Sequence, residues 1–153
     1  MSGKIGTLST IPDGNVWLCP VKPRSWRVIE NAKVIGFPRH VKKVFERARV
    51  GDIIVIHVFK PVNGIIAMAE VASGLFEGNR DLWGKGRYPL RVKIRILKDL
   101  VKAGRKPIPL GALFGKASDP EVTVEPYLRS VWITRITKAQ YLNLQKHFQR
   151  NAS

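Results

Sequence analysis

Gly51-Asp52-Ile53-Ile54-Val55-Ile56-His57-Val58-Phe59-Lys60-Pro61-Val62-Asn63-Gly64-Ile65-Ile66-Ala67-Met68-Ala69-Glu70-Val71-Ala72 holds two apolar runs rich in β-branched residues on either side of a turn signal. Runs of that length and composition, bounded by Pro, Asn and Gly, read as strands Ile53–Val58 and Ile65–Ala72. The Asn63-Gly64 pair tolerates the positive φ angles of a type I′ turn, so the two strands are expected to form a hairpin.

Upstream, Pro38 suits the first turn of a helix that Gly51-Asp52 ends. Val41, Val44, Phe45 and Ala48 repeat at helical spacing and mark its core face, while Arg39, Lys42, Lys43, Arg47 and Arg49 mark the other. Val34–Phe37 is a brief extended piece. Before it, Ser25–Ala32 reads as a short helix with Trp26 and Ile29 inward, and Val16–Cys19 as a buried strand closed by Pro20 and Pro23. Residues 1–14 lack periodicity and read as a loose leader, leaving residues 15–150 as one domain.

Downstream, residues 73–88 form a Gly-rich loop and residues 89–97 an alternating strand. Lys98–Leu110 is expected to be a short helix and loop, and Val131–Ile136 a last strand. Thr137 and Gln140 match a capping box, followed by a helix with Tyr141, Leu144 and Phe148 on one face. Strands and short helices in this irregular order indicate an α+β chain built on a curved sheet or small barrel.

Among 153 residues, 27 are Lys or Arg and 11 Asp or Glu, a formal charge of +16. An excess that large repels itself and points to a polyanionic partner. No apolar run approaches the roughly 20 residues of a membrane span, and the N-terminal residues do not resemble a signal peptide. A membrane partner is therefore not expected. The single cysteine, Cys19, excludes an internal disulfide framework and fits a reducing cytoplasm.

Two segments carry the polyanion reading. In Leu90–Ile96 the side chains alternate, so Arg91, Lys93 and Arg95 share one face at about 6.5–7 Å spacing, suited to successive phosphates. In the preceding loop, Phe76, Trp83 and Tyr88 are interleaved with Arg80, Lys85 and Arg87. Rings offer stacking faces for bases, and cations hold the backbone. Arg39 and Lys42 extend the same basic surface. Trp17 and Trp26 fall in core positions, and Trp132 fits either role.

Catalytic signatures are thin. His40, His57 and His147 are scattered, Cys19 lacks partners at metal-ligand spacing, and the acidic residues form no pair suited to acid–base work. Gly111-Ala112-Leu113-Phe114-Gly115-Lys116 departs from a phosphate loop by one residue between the glycines, with Ala117 where Ser or Thr would bind Mg²⁺. Neither cofactor nor metal is expected.

The ordered set of segments resembles the EVE domain of the PUA-like superfamily in its small archaeal form, related to YTH domains. The resemblance rests on Trp17-Leu18-Cys19, Ser25-Trp26-Arg27-Val28-Ile29, Gly36-Phe37-Pro38-Arg39-His40, Val50-Gly51-Asp52, Gly64–Val71, Tyr88–Ile94 and the helix around Tyr141. It implies a PUA-like curved sheet or pseudo-barrel flanked by short helices, and a non-catalytic module that reads a modified base in DNA or RNA. It also implies a base pocket lined by Cys19, Pro20, Ile35, Gly36, Phe37, Pro38, Trp83 and Tyr88. Ile35 stands where the family often has Trp, so one wall is expected to be aliphatic, or Phe37 to supply the ring. The alternatives are an RNA-processing enzyme or nuclease on a PUA-like scaffold, and a structural ribonucleoprotein component. A monomer is the favoured state.

Overall fold

The central hairpin forms as expected, but its turn differs. In the computed structural model, which describes residues 14–114 and 132–152, strand β3 (Ile53–Val58) pairs antiparallel with β4 (Gly64–Val71). Val58 faces Gly64, so the connection is the five residues 59–63, and Asn63 has φ 52°. Gly64 belongs to the strand instead of the turn. A Cβ there would lie 2.6 Å from Cβ of Pro107, because the Ile108 segment bridges to Ile65 at that point.

Around the hairpin lie β1 (Val16–Val21), α1 (Pro23–Ala32) and β2 (Val34–Phe37). A 3₁₀ turn (Arg39–Val41) then runs into α2 (Lys42–Phe45). After β4 come β5 (Phe76–Glu77), β6 (Leu90–Asp99), a 3₁₀ turn (Leu110–Phe114), β7 (Thr134–Ile136) and α3 (Lys138–Ala152). The strand order is β2-β6-β4-β3-β1-β7 with β5 beside β6, and β1–β3 is the parallel pair. Among the described residues the sheet curls into an open half-barrel, an α+β fold.

Both faces are buried, which is why β3 and β4 read as continuous apolar runs. Trp17, Cys19, Ile54, Ile56 and Ile66 pack with Trp26 and Ile29 of α1 on one face. Val16, Leu18, Ile53, Val55 and Ile65 pack with Tyr141, Leu144 and Phe148 of α3 on the other. The capping box closes as read, with Thr137 N donating to Gln140 Oε1 (2.9 Å) and Gln140 N to Thr137 Oγ1 (3.0 Å). Pro23 opens α1, and Lys33, at φ 58°, ends it by donating its N–H to Ile29 O.

Several boundaries move. The helix after Pro38 is only two short turns, because Asp52 gathers the chain early. Its carboxylate accepts from Arg49 N (3.0 Å), Asn15 N (3.1 Å) and Trp17 Nε1 (3.1 Å), and Asp52 is buried. Strand β6 runs on to Asp99 where a helix was expected, since its second half pairs with β4. The leader reading covers residues that, apart from Gly14, lie outside the described ones, as do Gly115, Lys116 and Ala117.

Pro20 was expected to end β1, yet the strand continues through it to Val21. Asn15 O accepts from Ile53 N and Val21 O from Phe59 N, so odd-numbered residues of β1 turn their peptide groups toward β3. Pro20 turns to the opposite side, where β7 pairs only with Val16–Leu18. A missing N–H there breaks no ladder bond.

Candidate functional site

That end of β1 is where the half-barrel stays open. Beyond Leu18, β1 has lost β7 as a neighbour, and β2 is the far edge of the strand order. A cavity of about 260 Å³ sits in this gap, roofed by α1 through Ser25 and Ile29. Of the residues expected to line the pocket, Cys19, Pro20, Ile35, Gly36, Phe37, Trp83 and Tyr88 all do. Pro38 falls outside the lining, one residue beyond β2.

Main-chain polar groups edge the cavity. Ile94 N donates to Lys33 O (2.9 Å), which makes Lys33–Ile94 a hydrogen-bonded pair of the antiparallel β2–β6 ladder. Ile35 and Phe37 then also face β6, and the N–H and C=O of Gly36 turn to the open edge. The Pro20 carbonyl turns away from β3 by the same alternation. Each is a polar group at a strand edge with no ladder partner among the described residues.

The aromatic wall comes from three places in the chain. Trp83 and Tyr88 belong to the loop between β5 and β6, which is pinched shut where Gly78 N donates to Pro89 O (2.8 Å). Asp81 Oδ1 accepts from Gly84 N, and Gly84 and Gly86 take positive φ, so the loop folds back on itself. Gly36 lets it close on the sheet. A Cβ on Gly36 would lie 2.6 and 2.8 Å from Cζ3 and Cη2 of Trp83, and 2.8 Å from Cβ of Tyr88. Trp83 and Tyr88 meet edge to face at 5.6 Å, and Tyr88 meets Trp132 the same way at 5.3 Å. Trp132, undecided from sequence, is thus a pocket residue; β7, paired with the start of β1, delivers it there. Lys22, Val21, Ser25, Ile29 and Phe59 were also not foreseen as lining residues. Lys22 and Ser25 follow directly on Cys19-Pro20 at the start of α1, a placement that the Pro20–Pro23 spacing offered.

Phe37 lines the cavity from within the core and is buried, whereas Ile35 makes an aliphatic wall. Burial pushes the Cys19 thiol up to about 12, so it stays protonated at neutral pH and is a poor nucleophile. Among the described residues, no group of three or more His, Cys, Asp and Glu side chains could hold a metal ion, and no helix is long and apolar enough to cross a membrane.

The basic face of β6 needs correction. Arg91 is 4% exposed: its Nε donates to Tyr88 O (3.2 Å) and its guanidinium lies 5.4 Å from the Trp83 ring centroid. Gly78 makes room for it, since a Cβ there would be 2.5 Å from Cδ of Arg91. Arg91 therefore positions the Trp83 loop instead of facing solvent. Arg95 is exposed but bound to Glu70 Oε1 through Nη2 (2.5 Å) and Nε (3.1 Å), across the β4–β6 register. Only Lys93 of the three is exposed with no acidic partner among the described residues. Strand alternation holds, but the loop and Glu70 occupy two of the three cations. Of the other expected backbone contacts, Arg39 pairs with Glu77 (2.6 Å) and Arg87 covers the Tyr88 ring at 5.1 Å. Lys42, Arg80 and Lys85 are exposed.

No family model matches the chain. It is similar to the UPF0310 protein PH1033 of Pyrococcus horikoshii, 33% identical over 54% of this chain and 66% of that protein. The chain thus spans just under two thirds of that relative's length. Among solved structures, a hypothetical protein from Leishmania major superposes with TM-score 0.65 at 11% identity, covering 92% of this chain and 98% of the other. A mutant of the ASCH protein of Zymomonas mobilis superposes with TM-score 0.57 at 14% identity, covering 86% and 97%. Likeness at such identities shows a shared fold.

Proposed function

We propose that this chain is a non-catalytic nucleic-acid-binding module of the EVE type, taking one base, in modified form, into the cavity between β1 and β2. The observation that carries the reading is the pairing of an aromatic wall with main-chain edges in one small space. Trp83, Tyr88 and Trp132 offer ring faces and edges, while Gly36 and Pro20 offer a donor and acceptors at the strand edges that line the same space. A planar heterocycle with polar edges satisfies both at once; an aliphatic ligand would leave the main-chain groups unpaired. The +16 charge supplies the attraction for the phosphate backbone of the same strand. Ile35 makes part of the lining aliphatic. The resemblance of the ordered segments to EVE domains agrees with this assignment.

The test is oligonucleotide binding by fluorescence anisotropy, with Trp83→Ala as the variant and salt as the variable. Losing one stacking ring is expected to weaken binding by about 1–3 kcal/mol, roughly 5- to 150-fold, at every salt concentration. Affinity of both proteins is expected to fall steeply between about 50 and 200 mM salt with the same slope, since Trp83 carries no charge. A Trp83→Ala protein that binds as tightly as the parent would remove the pocket from the interaction.

A further inference from the structure

A second cleft, of about 280 Å³, lies where Lys43 and Arg47 of the α2 turn meet Thr134 and Arg135 of β7 over Trp17. Lys43 belongs to α2 and Arg47 to the turn that follows it, and both line the cleft. All three cations are exposed, and none has a carboxylate partner among the described residues. That sets them apart from Arg39, Arg91 and Arg95, which Glu77, Trp83 and Glu70 engage. Three like charges around one cleft repel each other unless an anion sits among them.

The backbone adds a donor. Leu18 faces Thr134 and Val16 faces Ile136 in the β1–β7 pair, and even-numbered β1 residues turn toward β7. Arg135 alternates with those residues, so its N–H turns away from β1 to the side where β7 is the last strand among the described residues. Thr134 lines the same cleft. Guanidinium groups, an ammonium and an edge N–H together match the tetrahedral oxygens of a phosphate group.

We infer that this cleft binds a phosphate of the nucleic-acid strand whose base enters the aromatic cavity. This rests on the reading of that cavity as a base site, and it adds where the strand goes next. Trp132 walls the cavity and Thr134 lines the cleft, so two residues of chain, about 7 Å when extended, separate the two walls. That span is comparable to the step from one nucleotide to its neighbour. The track therefore leaves the pocket past Trp132 and His40, whose rings lie 6.3 Å apart, toward α2 and β7. It does not follow the face of β6.

The experiment compares the parent with a Lys43→Gln/Arg47→Gln/Arg135→Gln variant and a charge-matched control, Arg27→Gln/Lys102→Gln/Lys146→Gln, against an oligonucleotide and a free nucleoside. The cleft variant is expected to lose at least tenfold more oligonucleotide affinity than the control. Its salt slope should be shallower by about 1–2, with nucleoside binding unchanged. If cleft variant and control lose the same affinity while the parent binds oligonucleotide, the cleft assignment fails and the base pocket stands. If the parent binds neither ligand, both fall together. NMR of the parent is an independent check: the Arg47 and Arg135 side-chain Nε resonances should shift when oligonucleotide is added, and stationary resonances overturn the cleft whatever the variants do.

Discussion

Gly36→Ala is expected to weaken base binding at least tenfold while leaving the protein folded. The added methyl would sit under 3.0 Å from two atoms of the Trp83 ring and from Cβ of Tyr88. Cβ of Tyr88 is tied to the backbone and yields little, so the Trp83 ring must move. Arg91 lies over that ring, 5.4 Å from its centroid, and Gly78-Pro89 fixes the base of the loop. The displacement therefore goes into the cavity or lifts the loop from β2, and either outcome removes a wall of the site. Overpacking of this kind costs about 1–3 kcal/mol of stability, which a domain of this size survives. Nucleoside titration reads the first effect and a thermal melt the second. Full-strength binding by the variant would mean that the Trp83 loop is not a wall of the binding site.

Asp52→Ala is expected to produce the largest loss of stability, about 3 kcal/mol or more. Three donors converge on this buried carboxylate: two main-chain N–H groups and the indole of Trp17. Hydrogen bonds to a charged acceptor contribute about 1.5–3 kcal/mol each, and the Trp17 indole would be left unpaired in the core. The same carboxylate ties the start of β1 to the end of the α2 turn, so its loss loosens both. Urea denaturation should show a lower midpoint with an unchanged m-value. A drop below about 1 kcal/mol would show that the cradle is relaxed without cost. Asp52→Asn, which keeps one acceptor oxygen, should fall between the parent and the alanine variant.

The strands were legible because burial on both faces writes continuous apolar runs, as in Ile53–Val58 and Gly64–Val71. Helix α3 was legible because its capping box and its Tyr141-Leu144-Phe148 face are local. The hairpin turn was misread for a long-range reason: Gly64 is required by Pro107, some forty residues away, and not by the turn. Arg91 shows a related failure. Alternation correctly put it off the apolar face of β6, but alternation cannot say that the Gly78–Pro89 loop folds back and encloses it. Trp132 was undecided for the same kind of reason, since only the pairing of β7 with β1 brings it beside Tyr88. The expected positions that line the cavity came from the resemblance of whole segments to a known domain. Lys43 and Arg47 were read as the polar face of one helix and Arg135 was not singled out, because α2 and β7 are joined through the fold and not along the chain.

The central claim is that a base occupies the cavity between β1 and β2, and titration with a panel of modified nucleosides followed by NMR tests it most directly. Saturable shifts of the Trp83 and Trp132 indole resonances, together with the Gly36 amide at the open edge of β2, are the predicted result. Shifts confined to exposed Lys and Arg resonances, with both indoles and Gly36 unmoved, would contradict it.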